Sequence, residues 1–406
     1  MAVTVRGMAW DHPRGVGALR AISEAFNASH PDIRVEWDAR PLASFEDTPV
    51  AQLAQEYDLM AIDHPFIGDC AASGAVVPIS ALLSVDQLAD RADDAVGASH
   101  QSYLWQGQQW GLGLDAAAHV AAYDALELAS AEVPRCWADF ADLSQRLGTS
   151  RIAVPANPTH MWGTLLSLCE LVSGPQGDGG GPLTAVRHAD GRPSWWSAGG
   201  IDPEVLAEAL ERLRELLSLC APESLEMSPI DVLEAMSDPA KEDTRPGYAY
   251  SPYVFGYITY SRPADGRRQI RFLPSPSLDG NPIGTLTGGV GLAISSRSTS
   301  RAEAACFAAY ATSRDVQVNG FPLAGGQPGR RSAWQDETFN AHAGGFGIDT
   351  LPSVGRGFLR ARFAGFPAFQ KSFAHVLHAA IVAHAPTASI VQSFRDGWDR
   401  HVLQPS

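Results

Sequence analysis

Two Asp-His-Pro triplets hold the residues of this 406-residue chain best suited to chemistry, Asp11-His12-Pro13 and Asp63-His64-Pro65. A carboxylate beside an imidazole can direct several hydrogen bonds at hydroxyl groups, or can work as a general acid/base pair. Each histidine precedes a proline, which keeps its backbone extended and suits a turn that presents side chains. A plain structural role, two turns that cap helices, stays open beside these readings. Trp10 adjoins the first pair and offers a stacking face. In SPYVFGYITYSRP (251–263), Tyr253, Phe255 and Tyr257 alternate and so share one face of a predicted strand. Such faces suit the C–H-rich surface of a sugar or, equally, a core. Trp162, in THMWGTLL, carries the same two readings.

The elements that must position these residues are legible near the start. TVRGMAW (4–10) predicts a strand, DHPRGVG (11–17) a turn, ALRAISEAFNASHP (18–31) a helix and IRVEW (33–37) a second strand. Leu19, Ile22 and Phe26 fall on one helical face, whereas Ile33, Val35 and Trp37 alternate. Gly15-Val16-Gly17 imitates a dinucleotide-binding turn, but Arg20 stands where the third glycine belongs, and a proline-containing turn separates the strand from Gly15. A turn feeding a helix amino terminus toward a ligand is the simpler account. YDLMAID (57–63) then predicts a strand that ends at the second triplet. Both Asp-His pairs therefore lie at strand carboxyl ends, where open α/β sheets bind ligands.

Further along, SYLWQGQQWGLGLDAAAHVAAYDALEL (102–128) predicts strand, turn, strand and a long apolar strand from Ala116. IDPEVLAEALERLRELLSLC (201–220) predicts a helix capped by Asp202, with Leu206, Leu210, Leu213 and Leu217 as its apolar stripe. The Gly-rich stretch 174–200 predicts an exposed loop with a hairpin. RRQIRFLPSPSL (267–278) and GTLTGGVGLAISSRS (284–298) predict strands, and RAEAACFAAYATS (301–313) a helix.

Together these segments resemble the extracellular solute-binding proteins of family 1, the sugar-type receptors of ABC importers. The resemblance rests on the first helix, His-Pro and strand, on SGAVVPIS (73–80), and on the crossover around GLGLD (111–115). It rests also on EVPRCWADF (132–140), LTGGVGLAI (286–294) and GGQPGRRSAW (325–334). Two departures are plain: Gly113-Leu114 stands where the family often has proline, and Cys136 replaces a helix-capping threonine, leaving Asp139 to serve the exposed amides.

The resemblance implies an α/β, two-lobed periplasmic-binding-protein-like fold of type II, with discontinuous lobes and a ligand cleft between them. Residues 1–113 and 286–335 would form the amino-terminal lobe, and 117–283 with 336–406 the carboxy-terminal lobe. Crossovers fall at 113–117 and 283–288. The implied site gathers Trp10, Asp11, His12, Asp63, His64, Asp115, Trp162, Tyr253 and Tyr257, with Gly288, Gly289, Gln327 and Arg330 from later segments. Arg330 and its neighbour Arg331 could bond a hydroxyl or a carboxylate; hinge service for the glycines and a solvated loop for the arginines stay open. The implied function is capture of a small polar solute, a carbohydrate or small carboxylate, by a monomer that hands it to permease subunits. The alternative is a cytosolic lyase, isomerase or hydrolase on the same scaffold, using Asp11, His12, Asp63 and His64.

Composition narrows the field. A formal net charge of −15, with basic runs no longer than Arg267-Arg268 and Arg330-Arg331, disfavours nucleic acid. No zinc-type Cys/His spacing, P-loop, GxSxG or HExxH pattern occurs, so no metal or cofactor is expected. The five cysteines are scattered and apolar-flanked, which predicts free buried thiols and suits a reducing compartment. MAVTVRGMAW leads directly into a strand without a signal-like apolar run, so two locations stay open: extracytoplasmic by the resemblance, cytoplasmic if that start is native.

Overall fold

The computed structural model describes residues 2–41, 48–174, 187–239 and 247–404. The strands that position the site are β1 (Val3–Trp10), β2 (Ile33–Arg40), β3 (Leu59–Asp63), β4 (Leu112–Gly113), β5 (Ala117–Asp124), β6 (Tyr250–Phe255), β7 (Ile270–Leu273), β8 (Thr287–Gly288) and β9 (Val290–Ile294). The helices used below are α1 (Ala18–Ser29), α2 (Pro158–Ser173), α3 (Pro203–Ser218), α4 (Arg301–Ala311), α5 (Phe346–Arg356) and α6 (Phe366–Val382).

Local sequence explains the first unit. Leu19, Ile22 and Phe26 of α1 are buried, and β2 turns Val35 and Trp37 inward while Arg34 and Glu36 face water. Between β1 and α1 the chain makes a tight turn, Pro13–Gly17, begun by His12, whose Nδ1 accepts the amide of Arg14 at 3.1 Å. In α3, Asp202 accepts the amides of Glu204 and Val205 at 2.9 and 3.4 Å, with Pro203 in the first turn. Leu206, Leu210 and Leu213 are buried as expected, Leu217 is half-buried against the same core, and Leu216 is buried as well beside Ala209, which widens the apolar face. At the Cys136 cap no side-chain bond forms, and Asp139 sits in the first turn of the helix Trp137–Leu147.

The glycine-rich stretch departs from its expectation. Its residues 175–186 lie outside the described ones, and a two-residue ribbon does pair Trp196–Ser197 with Gly200–Ile201. Trp195 and Trp196, however, are buried against Phe358, Phe366 and Trp398, since two indoles carry too much apolar surface to leave wet. The strand expected over 251–263 stops at Phe255 and gives way to a short helix, Ile258–Ser261. Its register against β5 slips between Ser251 and Val254, where Pro252 has no amide to donate.

Two sheets organise the molecule. The first runs β2-β1-β3-β9-β4, with β1 parallel to both β2 and β3 and with β9 antiparallel to β3 and β4. In the second, β5 is central, with β6 on one side and both β7 and β8 on the other, all antiparallel. The first sheet has its own core around Val5, Phe26, Ile62 and Phe307. β5 is buried on both faces: Ala121 and Tyr123 pack with α2, α3 and α6, while Val120 and Ala122 meet Phe272 and Phe346 from β7 and α5. The chain is thus α/β and two-lobed, as the resemblance implied.

The chain passes from the first sheet to the second at Leu114–Ala116 and back at Gly289. It leaves the first core again between Phe321 and Trp334, where Gly329 donates its amide to Leu114 at 3.0 Å. Gly289 has φ +103°, and a Cβ there would lie 2.2 Å from the Asp115 carbonyl oxygen, so the crossing strands can approach this closely only with glycine.

Candidate ligand-binding cleft

A cavity of about 100 Å³ lies where the two sheets meet. Trp10 and Asp63 reach it from the adjacent carboxyl ends of β1 and β3, as expected of an open α/β sheet. From the other lobe come Thr159, His160, Trp162 and Gly163 of the first turns of α2, together with Phe255, Tyr257 and Arg360. The crossovers supply Asp115, Gly288 and Gly289. At Gly288 a Cβ would stand 2.6 Å from the Phe255 ring, so its absence lets that ring close the wall.

Two ion pairs govern the electrostatics. Arg14, in the turn after β1, grips Asp115 bidentately, Nε to Oδ2 at 3.0 Å and Nη2 to Oδ1 at 2.5 Å, with both side chains buried. Its Nη1 donates to the Gly256 carbonyl at 3.2 Å, and its guanidinium lies 4.5 Å from the centre of the Tyr257 ring. Arg14 therefore ties the first lobe, the crossover and the second lobe together. Burial pushes the Asp115 carboxyl up against the opposing pull of Arg14. Burial likewise works to lower Arg14, but Asp115 keeps the guanidinium above its ordinary value.

The second pair joins Asp63 to Arg360, whose Nη1 also donates to Gln370 at 3.2 Å. Burial alone would raise Asp63, yet the charge of Arg360 and hydrogen bonds from His64 and Arg360 hold it at about 2. His64 is wholly engaged. Its Nε2 accepts the Arg360 amide at 3.2 Å, which puts the proton on Nδ1, 3.2 Å from Asp63 Oδ1. Burial lowers His64 to about 4 despite Asp63. His160 is also lowered to about 4, by burial and then by Arg360. The imidazoles of the cleft are neutral at pH 7.

Three polar groups in this region stand out. The His160 ring, 7% exposed, makes no hydrogen bond to a described residue. Trp162 Nε1 and Arg360 Nε are buried without an acceptor among the described residues. Buried donors are rarely left so, and each costs about 1–3 kcal/mol until something accepts from it.

Of the residues singled out in the sequence, Trp10, Asp63, Asp115, Trp162, Tyr257, Gly288 and Gly289 line this cavity. His64 backs it through Asp63 and Arg360. The others lie elsewhere. Asp11 is exposed and does not line the cavity. His12 caps that turn and meets the Tyr257 ring edge-on at 5.1 Å between centroids, outside the lining. Tyr253 points to the same side as Phe255 but two residues deeper in the strand, so it is fully buried and its hydroxyl donates to the Pro276 carbonyl at 2.8 Å. Gln327 braces the third link: its Nε2 donates to the Ala116 carbonyl, and its Oε1 accepts the Ile258 amide, both at 2.9 Å. Arg330 turns away to Asp90 at 2.6 Å and to the Thr312 carbonyl at 3.0 Å; Arg331 is exposed.

Sequence reasoning missed Arg14, His160 and Arg360. A signal existed for two of them. Asn157-Pro158 is a cap followed by a first-turn proline, and it starts α2 with His160 at its opening turn. Asp115, set in the apolar run GLGLDAAAHV, demanded a buried cation, although nothing local named Arg14. For Arg360 the sequence holds no signal.

Among the described residues no group of His, Cys, Asp and Glu is arranged to hold a metal, and no helix is long and apolar enough to cross a membrane. The five cysteines are unpaired; Cys70, Cys169 and Cys220 are buried, but Cys136 is half-buried and Cys306 exposed, contrary to the expectation for all five. Cys306 surfaces because α4 turns Ala304, Ala305 and Ala308 inward and position 306 outward.

Fold and cleft define a two-lobed α/β protein with a cavity where its two sheets meet. Comparison with known proteins carries the class further, and the resemblance read in the sequence holds. The profile of the bacterial extracellular solute-binding protein family matches residues 9–168. Maltose-bound MalE3 of T. maritima superposes with a TM-score of 0.77 at 16% identity, over 97% of this chain and 98% of that one. The GacH receptor of Streptomyces glaucescens, solved unliganded and with acarbose, gives 0.73 at 15% identity over the whole of both chains. The Thermus thermophilus maltotriose-binding protein, bound with maltotriose, gives 0.71 at 18% identity over 97% and 98%. No curated protein sequence matches the chain.

Proposed function

We propose that this protein is the solute-binding receptor of an ABC importer and that its ligand is a neutral carbohydrate. The observation that carries the reading is the charge balance of a cavity walled by both lobes. Its two cations, Arg14 and Arg360, are each paired with a carboxylate, and its histidine is neutral. A small carboxylate would find no unpaired cation there, whereas hydroxyl groups can accept from Trp162 Nε1 and Arg360 Nε and exchange hydrogen bonds with His160. Trp10, Phe255 and Tyr257 line the cavity with apolar surface for ring carbons, while the Trp162 ring packs behind against Trp196, Phe369, Phe373 and Phe394. Solved neighbours described as bound to maltose, maltotriose, ribitol and tagatose support an uncharged polyhydroxylated ligand.

In this reading the lobes are residues 1–113 with 286–335 and 117–283 with 336–406. They move about the crossovers at 113–117 and 283–288, and ligand contacts from both lobes favour the closed state. Permease subunits then read closure. Calorimetry with neutral sugars, polyols and small carboxylates tests the ligand class. Tight binding confined to uncharged sugars or polyols is expected, with W162F weakening it about tenfold for one lost hydrogen bond. Preferential binding of carboxylates, or turnover of a bound compound, would overturn the reading.

A further inference from the structure

One stretch of the second lobe lies directly on the first lobe, outside the inner cavity. Residues 358–365 start at the crossover, where Phe358 bridges Leu286, and run out along an edge made by residues 64–69 and 101–105. The Arg360 amide donates to His64 Nε2 at 3.2 Å, and the Gly365 amide donates to Asp69 Oδ1 at 2.7 Å. Between them Arg362, 1% exposed, reaches both lobes. Its Nη1 donates to the Gln101 and Ser102 carbonyls at 2.7 and 3.0 Å, and its Nη2 to the Asp190 carbonyl. The guanidinium also lies 5.7 Å from the centre of the Trp105 ring, and Phe363 meets the same ring edge-on at 5.8 Å. Trp105 packs on the first core and Phe363 on the second. Burial lowers Arg362 to about 10, which leaves it a cation at neutral pH.

Gly68 shows that the sequence is fitted to this contact. It is buried in the first turn of the helix Ile67–Ser73, and its φ lies outside the left-handed region that favours glycine. Within a helix, alanine would serve better. A Cβ at position 68 would overlap the Arg362 carbonyl oxygen, and the next nearest atoms are backbone carbons of Arg362 and Phe363. The backbone of the other lobe, not the helix itself, requires glycine here.

We propose that residues 358–365 form a clasp that stays shut with no solute bound, a noncovalent fourth link on which the two lobes pivot. The inference goes beyond the receptor reading and does not rest on it. Lobes of one chain move relative to each other unless an interface holds them, and the clasp supplies that hold along one flank. Arg362, Phe363 and Gly365 do not line the inner cavity, so their contacts need nothing in it. Parting the lobes here would break the carbonyl bonds of Arg362, the Asp69–Gly365 bond and the Trp105–Phe363 contact together.

The test follows amide hydrogen exchange of the full chain, unfolded in guanidinium and refolded to strip any carried solute. The amides of Arg360 and Gly365 report the clasp, because each bonds a first-lobe side chain. G68A is a wedge that suits its own helix and obstructs only the clasp. R362M, which removes the carbonyl bonds, is the second variant should G68A fold poorly. Both reporter amides should exchange about tenfold or more slowly in the wild type than in the variant, while the amides of α1 and α3 stay unchanged. Equal exchange of the two reporters in wild type and variant, whether fast or slow, overturns the clasp. No solute enters the measurement, so either result leaves the receptor reading where it stands.

Discussion

Asp63→Asn removes one charge from the contact between the end of β3 and the segment carrying Arg360. The structure gives the magnitude. Asp63 titrates at about 2 rather than its ordinary 3.8, and at ~1.4 kcal/mol per pH unit that difference is worth about 2 kcal/mol. With side-chain exposures of 22% for Asp63 and 10% for Arg360, the pair is shielded enough to keep most of it. A carboxyl held below its unfolded value stabilises above that value and loses its contribution as pH falls through the folded one. The D63N penalty should therefore be full above pH ~5 and shrink between pH ~4 and ~2. Because the pair spans the lobes, the loss appears either as a lower unfolding free energy or as parted lobes. Urea denaturation followed by tryptophan fluorescence reads the first, and the radius of gyration from small-angle scattering reads the second. A double-mutant cycle with R360Q isolates the pair, with a coupling of about 1–2 kcal/mol expected. Unchanged stability together with an unchanged radius would refute the reasoning, as would a penalty that persists at pH 2. The sequence alone placed Asp63 among the ligand-binding candidates; its contacts with Arg360 and His64 give it a structural role in the free protein as well.

Three further outcomes follow from the same physics. R14M leaves Asp115 buried without its cation and should cost about 3–5 kcal/mol, read by urea denaturation, with D115N in the same chain restoring part of the loss. G289A forces an L residue to φ +103° against the Asp115 carbonyl, so a melting temperature lowered by several degrees is expected, and an unchanged one would mean that the crossover relaxes freely. Alkylation should label five thiols after denaturation without reductant. In the native protein Cys306 should react fast and Cys136 slowly, while Cys70, which burial pushes up to about 12, stays unmodified, as mass spectrometry of the peptides would show.

What the sequence determined by itself is local. The 3.6-residue spacing of Leu19, Ile22 and Phe26 and the alternation of Val35 and Trp37 laid out β1-α1-β2 before any contact was known, because each element must bury one face. The end of β1 put Trp10 at the cleft, and the end of β3 put Asp63 there, since parallel strands open their carboxyl ends to ligand. Tertiary structure decided what those residues meet. Asp115 finds Arg14 across 101 residues and Asp63 finds Arg360 across 297, and a buried charge accepts whichever cation the fold delivers, so no local pattern names the partner. It decided as well that Tyr253, alternating correctly with Phe255, ends in the core on Pro276, because depth along a strand is not written in its period. Gln327 and Arg330 went to bracing backbone and Asp90 for the same reason: a polar side chain in a loop bonds whatever the packing brings within reach.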